Sequence, residues 1–292
     1  MQKQSNFQNE ADSKTLELLK KRLSDIVTTA ADEVNWLDVG CGNGRCLEVL
    51  SSIQKQKQKN IFYHGVDSDD TYLAYTVIRA KKLGIKYSVE RLFAENLNFE
   101  KKYDVITAIL LFHEVKPLKL PYILKNLLVA LKDDGVLIIS DFQEPYEIEK
   151  KILIWSYQDI KSILDVICED VHADFTTMAS SKHPKEFSFY QGVIRKSKID
   201  MNGFDNFMKN YDIFLIKKKY SLMRKRDKLR RQIKTRSNEI LGKNVDVRIS
   251  ENECVVIEKN IELEYYLKGY KSYLFTRQIE FIDFILSDFF KS

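Results

Sequence analysis

Residues 35–47 read NWLDVGCGNGRCL, and they decide the fold. An apolar run, Val34, Trp36, Leu37 and Val39, breaks into glycines at alternate positions, Gly40, Gly42 and Gly44. It then resumes as a helical pattern from Arg45 to Ser52. The pattern predicts a buried strand, a tight turn and a helix start. Glycine at such a turn tolerates positive φ and, lacking Cβ, lets a ligand approach the backbone. A dinucleotide site would read G-x-G-x-x-G, whereas here the third glycine comes one residue early and Arg45 stands where the last glycine belongs. Asp38, at the end of the strand, adds a carboxylate that repels a pyrophosphate and suits an ammonium group.

A second strand is expected over IFYHGVD, Ile61 to Asp67. It ends in an acid, Asp67, which falls 27 residues after Gly40 (67 − 40 = 27). In a doubly wound sheet an acid at this strand end faces the crevice where a ribose lies, and its oxygens accept from both ribose hydroxyls. The alternative for such an acid is a helix N-cap, a task open here to Ser68 or Asp69 as well. The following helix, about Asp69 to Leu83, stops at Gly84. Further strands are expected at Ile85–Phe93, Tyr103–Val115 and Val136–Phe142, with a helix from Pro117 to Leu131. A long helical stretch over Glu144–Asp170, with a break near Trp155, and two last strands, HADFTTMAS and FSFYQGVIRK, complete this part.

The stretch LDVGCGNGR resembles the first motif of the class I S-adenosylmethionine-dependent methyltransferases, and LKDDGVLIISD (131–141) resembles the family's structural motif after the fourth helix. The resemblance covers about Val34 to Lys196 and lies nearest the small-molecule branch. It implies a doubly wound, seven-stranded, mostly parallel α/β sheet with an antiparallel last strand, and S-adenosylmethionine as cofactor, with S-adenosylhomocysteine as product. It also implies roles for residues. The backbone at Gly40, Cys41, Gly42 and Gly44 passes the methionine part, Asp38 orients the ammonium group, and Asp67 with Ser68 takes the ribose. The adenine would meet Ala94 and Glu95, where the sequence departs from the family's usual acid by carrying Phe93. Ile109 borders the methyl group, and no metal is implied. The leading helix, Ser13 to Ala30, would either form part of a lid or pack on the sheet.

After strand four the sequence is Ile109-Leu110-Leu111-Phe112, with neither the Asn/Asp-Pro-Pro-aromatic loop that holds a flipped base nor a nucleophilic cysteine. His113 is a candidate catalytic base, its ordinary pKa suiting neutral pH, or else a packing residue; Glu114 stands beside it.

Hydrophobic content of 44% with 30% charged residues over 292 positions is ordinary for a globular protein. No apolar leader and no run of about 18 uncharged apolar residues is present, and the four cysteines form no C-x-x-C pair. A cytoplasmic location is therefore expected. The net charge of +5 is uneven: Lys217 to Arg236 holds eleven cations against Asp227 alone, +10, leaving −5 elsewhere.

The expected organisation is an N-terminal helical segment (1–33), the S-adenosylmethionine-binding domain (34–198), and a basic, mainly helical C-terminal region (199–292). In the last, Leu215, Leu222 and Leu229 recur at seven, so a long helix is expected over Asn202–Leu241, then a β-hairpin (VDVRIS, CVVIEKN) and a terminal helix over Glu262–Phe290. Its cations could bind nucleic acid, lie on an anionic membrane, or flank a seam packed on the terminal helix or on a second subunit. The expected function is methyl transfer to a small or lipophilic acceptor at O, N or C by in-line displacement. The alternatives are an RNA-modifying methyltransferase with the basic helix as docking arm, and a non-catalytic cofactor-binding subunit.

Overall fold

A computed structural model describes residues 4–29, 32–144, 153–180, 188–241 and 263–289. In chain order the elements are α1 (Gln4–Thr29), β1 (Glu33–Val39), α2 (Cys46–Lys57), β2 (Asn60–Asp67), α3 (Asp70–Leu83), β3 (Lys86–Arg91), β4 (Tyr103–Ile109), α4 (Leu120–Ala130) and β5 (Leu131–Phe142). They continue with α5 (Tyr157–Ile167), β6 (Ala173–Ala179), β7 (Ser188–Arg195), α6 (Met201–Lys209), α7 (Tyr211–Leu241) and α8 (Leu263–Phe289). The strands form one sheet in the order β3-β2-β1-β4-β5-β7-β6. β3, β2, β1, β4 and β5 pair in parallel, and β7 is antiparallel to β5. This is the class I methyltransferase architecture.

The chain divides into two compact units. The first holds residues 1–143, 155–178 and 189–208; the second holds 144–154, 179–188 and 209–292.

In the first unit β1 lies inside the sheet between β2 and β4, and Val34, Trp36, Leu37 and Val39 are all buried. A parallel strand covered on both faces needs such a near-continuous apolar run. α1 is longer than its apolar periodicity alone suggests. Leu19, Leu23 and Val27, one helical stripe, are buried on the sheet layer and together supply several kcal/mol of burial, at about 2 kcal/mol each.

Local chemistry moved several boundaries. β4 ends at Ile109 rather than running to Val115, because Leu110 takes a left-handed φ of 56° and turns the chain across the strand ends. The helix expected from Pro117 begins as a 3-10 turn at Pro117–Lys119, and α4 starts at Leu120, with Pro121 in its first turn where a missing N–H is harmless. β5 begins at Leu131 rather than at Val136, with a register shift opposite Tyr103 and Val105. α5 starts only at Tyr157: Asp159 N donates to Ser156 Oγ at 3.3 Å and Ser156 N to Asp159 Oδ2 at 2.9 Å, a capping box that accounts for the break near Trp155.

In the second unit α7 and α8 run antiparallel. Lys219 pairs with Asp283, and Arg230 Nε donates to Ser272 Oγ at 3.3 Å, eleven residues further along α7 and eleven back along α8. Leu215, Leu222 and Ile233 of α7 are buried, as are Leu274, Phe275 and Ile282 of α8. The hairpin expected at 245–260 lies outside the described residues.

Candidate functional site

The parallel strands β1, β2 and β4 end on the same side, and their C-terminal turns enclose a cleft of about 430 Å³. This is where a doubly wound sheet places its ligand, at the reversal of strand order.

The floor is a four-residue polar network built by strand register. Asp38 lies opposite Thr107 of β4, and Trp36 lies opposite Tyr63 of β2. Residues i and i+2 of β1 share a face, so Trp36, Asp38, Tyr63 and Thr107 meet. Trp36 Nε1 donates to Thr107 Oγ1 at 2.7 Å, Thr107 Oγ1 donates to Asp38 Oδ1 at 2.6 Å, and Tyr63 Oη donates to Asp38 Oδ2 at 2.8 Å. Asp38 is 2% exposed. Burial lifts its carboxyl from an ordinary 3.8 to about 6, against the downward pull of the Thr107 and Tyr63 hydrogen bonds.

The glycine turn hangs above this floor. Gly40 (φ 67°) and Gly42 (φ 52°) are left-handed. A Cβ on Gly40 would stand 2.8 Å from Leu111 Cδ1, so the missing side chain lets the turn after β4 close on the turn after β1. A Cβ on Gly42 would project into open space on the cleft side. Gly42 N donates to Asp67 Oδ2 at 2.8 Å, and Asp69 N donates to Asp67 Oδ1 at 3.0 Å. Each Asp67 oxygen thus holds one backbone donor and keeps a second lone pair for a ligand hydroxyl. The cap of α3 falls to Asp69, whose Oδ1 accepts from Thr71 N at 2.7 Å.

Of the residues expected from the sequence, Asp38, Gly40, Cys41, Gly42, Asp67, Ser68 and Ile109 line the cleft. Gly44, Ala94, Glu95 and His113 are not among its lining residues. Gly44 faces α3, where a Cβ would meet Thr76 Oγ1 at 2.9 Å. Ala94 and Glu95 form a 3-10 turn tied to α4 through Asn126 Nδ2 and the Glu95 carbonyl at 3.0 Å, and Leu92 is the residue of that segment that reaches the cleft. Phe93, which stands where the family usually has an acid, is 51% exposed.

His113 is buried at 4% exposure. Its Nδ1 lies 2.7 Å from Asp141 Oδ1, its backbone N donates to Asp141 Oδ2 at 3.1 Å, and its ring sits edge-on to Phe142. Nε2 points toward Glu114 Oε1 at 3.7 Å, and Glu114 does line the cleft.

Thr15 and Leu16 of α1, Asn43, Arg45, Asp69, Tyr72, Leu110 and Leu111 also line it. The α1 pair comes from the middle of that helix, and sequence spacing cannot say which of its residues meets the strand ends. Tyr63 and Thr107 were legible as strand residues, but their joint hold on Asp38 depends on register.

The donors fit S-adenosylmethionine. A buried carboxylate at the end of β1 suits an ammonium group, an acid at the end of β2 suits a ribose, and a side-chain-free turn between them leaves room for a thioether chain.

Residues 5–175 match the methyltransferase domain family. A carboxy-S-adenosyl-L-methionine synthase from Wolinella succinogenes is 31% identical over 111 residues, covering 37% of this chain and 45% of that protein, so the match spans less than half of that relative's length. A SAM-dependent methyltransferase from Aquifex aeolicus is similar at a TM-score of 0.42 and 23% identity, over 56% of this chain and 82% of that one. The magnesium protoporphyrin IX methyltransferase of Synechocystis PCC 6803, with bound SAM, is similar at 0.47 and 14% identity, over 63% and 80%. With a family match across more than half of its length, the chain belongs to the class I S-adenosylmethionine-dependent methyltransferase family.

Proposed function

We propose that this chain transfers the methyl group of S-adenosylmethionine to a small or lipophilic acceptor, at oxygen, nitrogen or carbon, by direct in-line displacement. The observation that carries the choice of acceptor is the apolar wall of the cleft, formed by Leu16, Ile109, Leu110 and Leu111. Such a wall excludes water and favours an acceptor with an apolar body.

Asp38 would hold the ammonium group, Asp67 and Ser68 the ribose, and the backbone of Gly40 to Gly42 the chain between them. The bound cofactor supplies a methyl group already activated on a sulfonium, so the protein's share is orientation and exclusion of water. Cys41 and Cys46 line the same cleft, and burial pushes both thiols well above their ordinary range. Protonated thiols are poor nucleophiles, which favours direct transfer over relay through cysteine.

Where an acceptor must lose a proton, Glu114, a carboxylate lining the cleft beside the apolar wall, would take it. His113, anchored by Asp141, acts in this scheme as a positioning residue behind Glu114. Three buried free thiols, Cys41, Cys46 and Cys168, favour a reducing, cytoplasmic setting. No helix among the described residues is long and apolar enough to cross a membrane.

The test is formation of S-adenosylhomocysteine from S-adenosylmethionine with a panel of phenols, quinols and amines of graded hydrophobicity. Turnover should favour apolar acceptors and vanish in Asp67→Ala. Tight cofactor binding with no turnover on any acceptor would refute catalysis and leave the non-catalytic subunit.

A further inference from the structure

Helix α7 has two faces of opposite character. One side buries Leu215, Leu222 and Ile233. The other carries Ile213, Lys217, Tyr220, Arg224, Lys228 and Arg231, spaced three or four residues apart. That spacing aligns them in one stripe, roughly 27 Å long at about 1.5 Å per residue. All six are exposed, Ile213 to 45% and Tyr220 to 59%.

Some nearby cations are held by acids. Lys219 pairs with Asp283, Arg226 with Asp227 at 3.0 Å, and Arg277 with Glu280 at 2.8 Å. Among the described residues, no acid pairs with Lys217, Arg224, Lys228 or Arg231. Arg224 and Lys228 are i,i+4 neighbours and Lys228 and Arg231 are i,i+3, so the helix carries like-charge repulsion that an anionic partner would relieve.

We propose that this stripe is a docking surface for the phosphate backbone of a nucleic acid. Two features select a nucleic acid over a lipid surface. The apolar side of α7 is occupied by α8, so the helix cannot insert it at a bilayer interface, the mode that anchors amphipathic helices. Tyr220 stands between Lys217 and Arg224, where a ring flanked by cations can stack on a base while they meet phosphates. The inference is independent of which acceptor the cleft takes.

Fluorescence anisotropy of the full chain with labelled DNA and RNA duplexes and single strands, across a salt series, tests it. Four phosphate contacts predict a log–log salt slope of about −3.6 on duplex, or roughly 100-fold weaker binding between about 50 and 200 mM salt. The joint variant Lys217→Gln, Arg224→Gln, Lys228→Gln, Arg231→Gln should flatten the slope to near zero. Its circular dichroism and urea midpoint should match or exceed the wild type, because the side chains are exposed and their repulsion is removed.

A control removes the same charge from the exposed Lys81, Lys82, Lys86 and Lys119, each to Gln, and should retain binding. Binding that survives in the stripe variant, or falls equally in the control, overturns the proposal. So does cosedimentation with phosphatidylserine-containing vesicles in the absence of nucleic-acid binding.

Discussion

Replacing Asp38 by asparagine should stabilise the protein at neutral pH while weakening its hold on the cofactor. The carboxyl is 2% exposed, and its folded-state value is about 6 against 3.8 for the free group. A carboxyl raised on folding contributes stability that is fully present below about 3.8 and is withdrawn as pH rises through about 6. The difference, roughly two pH units at about 1.4 kcal/mol each, makes the ionised Asp38 a burden of about 3 kcal/mol above pH 6 to 7.

An asparagine side chain has nearly the same shape, carries no charge, and can still accept from one of Tyr63 and Thr107 while its amide donates to the other. The assay is urea unfolding without cofactor at a series of pH values from about 4 to 8. Subtracting wild type from Asp38→Asn cancels the titration of all other carboxylates. The variant should be no more stable near pH 4 and more stable by about 3 kcal/mol near pH 8. A difference that stays flat across this range, or runs in the opposite direction, refutes the claim that a buried, desolvated carboxylate forms the floor of the cleft. In the wild type, affinity for S-adenosylmethionine measured by calorimetry should rise through about pH 6, as the carboxylate proposed to hold the ammonium group ionises, and should be lower and flat in the variant.

Tyr63→Phe removes the 2.8 Å donor to Asp38, so it should raise the carboxyl further and lower stability by about 2 kcal/mol at pH 8 but little near pH 4, read from the same urea series. Gly40→Ala and Gly84→Ala share a φ of 67°, but only the former puts a Cβ 2.8 Å from Leu111. Gly84→Ala should therefore cost about 1 kcal/mol of strain alone, whereas Gly40→Ala should cost about 2–3 kcal/mol and lose cofactor affinity in calorimetry. His113→Ala should lower stability by about 2 kcal/mol by removing the imidazole partner of buried Asp141, whose oxygens keep only the backbone N–H groups of residues 113 and 142, with cofactor affinity nearly unchanged. Glu114→Gln should leave stability within about 0.5 kcal/mol and lower turnover on acceptors that must lose a proton.

Much of the first unit could be read from the chain itself. The apolar run into Gly40 carries strand, turn and helix in a dozen residues, because a covered parallel strand must be apolar throughout and a turn at positive φ favours glycine. Asp67 was legible for the same reason: strand ends converge, so an acid closing β2 must lie near the glycine turn, and Gly42 N does bond to it. The segment after β3 takes a course that periodicity did not show. Ala94 and Glu95 sit at the expected distance along the chain, yet the 3-10 turn carries them toward α4 and leaves Leu92 at the cleft.

His113 was legible as a titratable group beside the site, but not as a buried one, since its partner Asp141 is 28 residues away on the next strand. On α7 two leucines of the heptad, Leu215 and Leu222, marked the seam, which Ile233 rather than Leu229 continues, and pairs such as Lys219 with Asp283 identify α8 as what covers it.

The sequence by itself determined the order of strands and helices, the cofactor family and the two acids that line the cleft, because these follow from local periodicity and from residue types that only certain backbone conformations accept. Tertiary structure alone decided what surrounds those acids. Register across β1, β2 and β4 joins Trp36, Tyr63 and Thr107 to Asp38 and keeps water from its carboxylate, and a pKa depends on that enclosure rather than on neighbours along the chain.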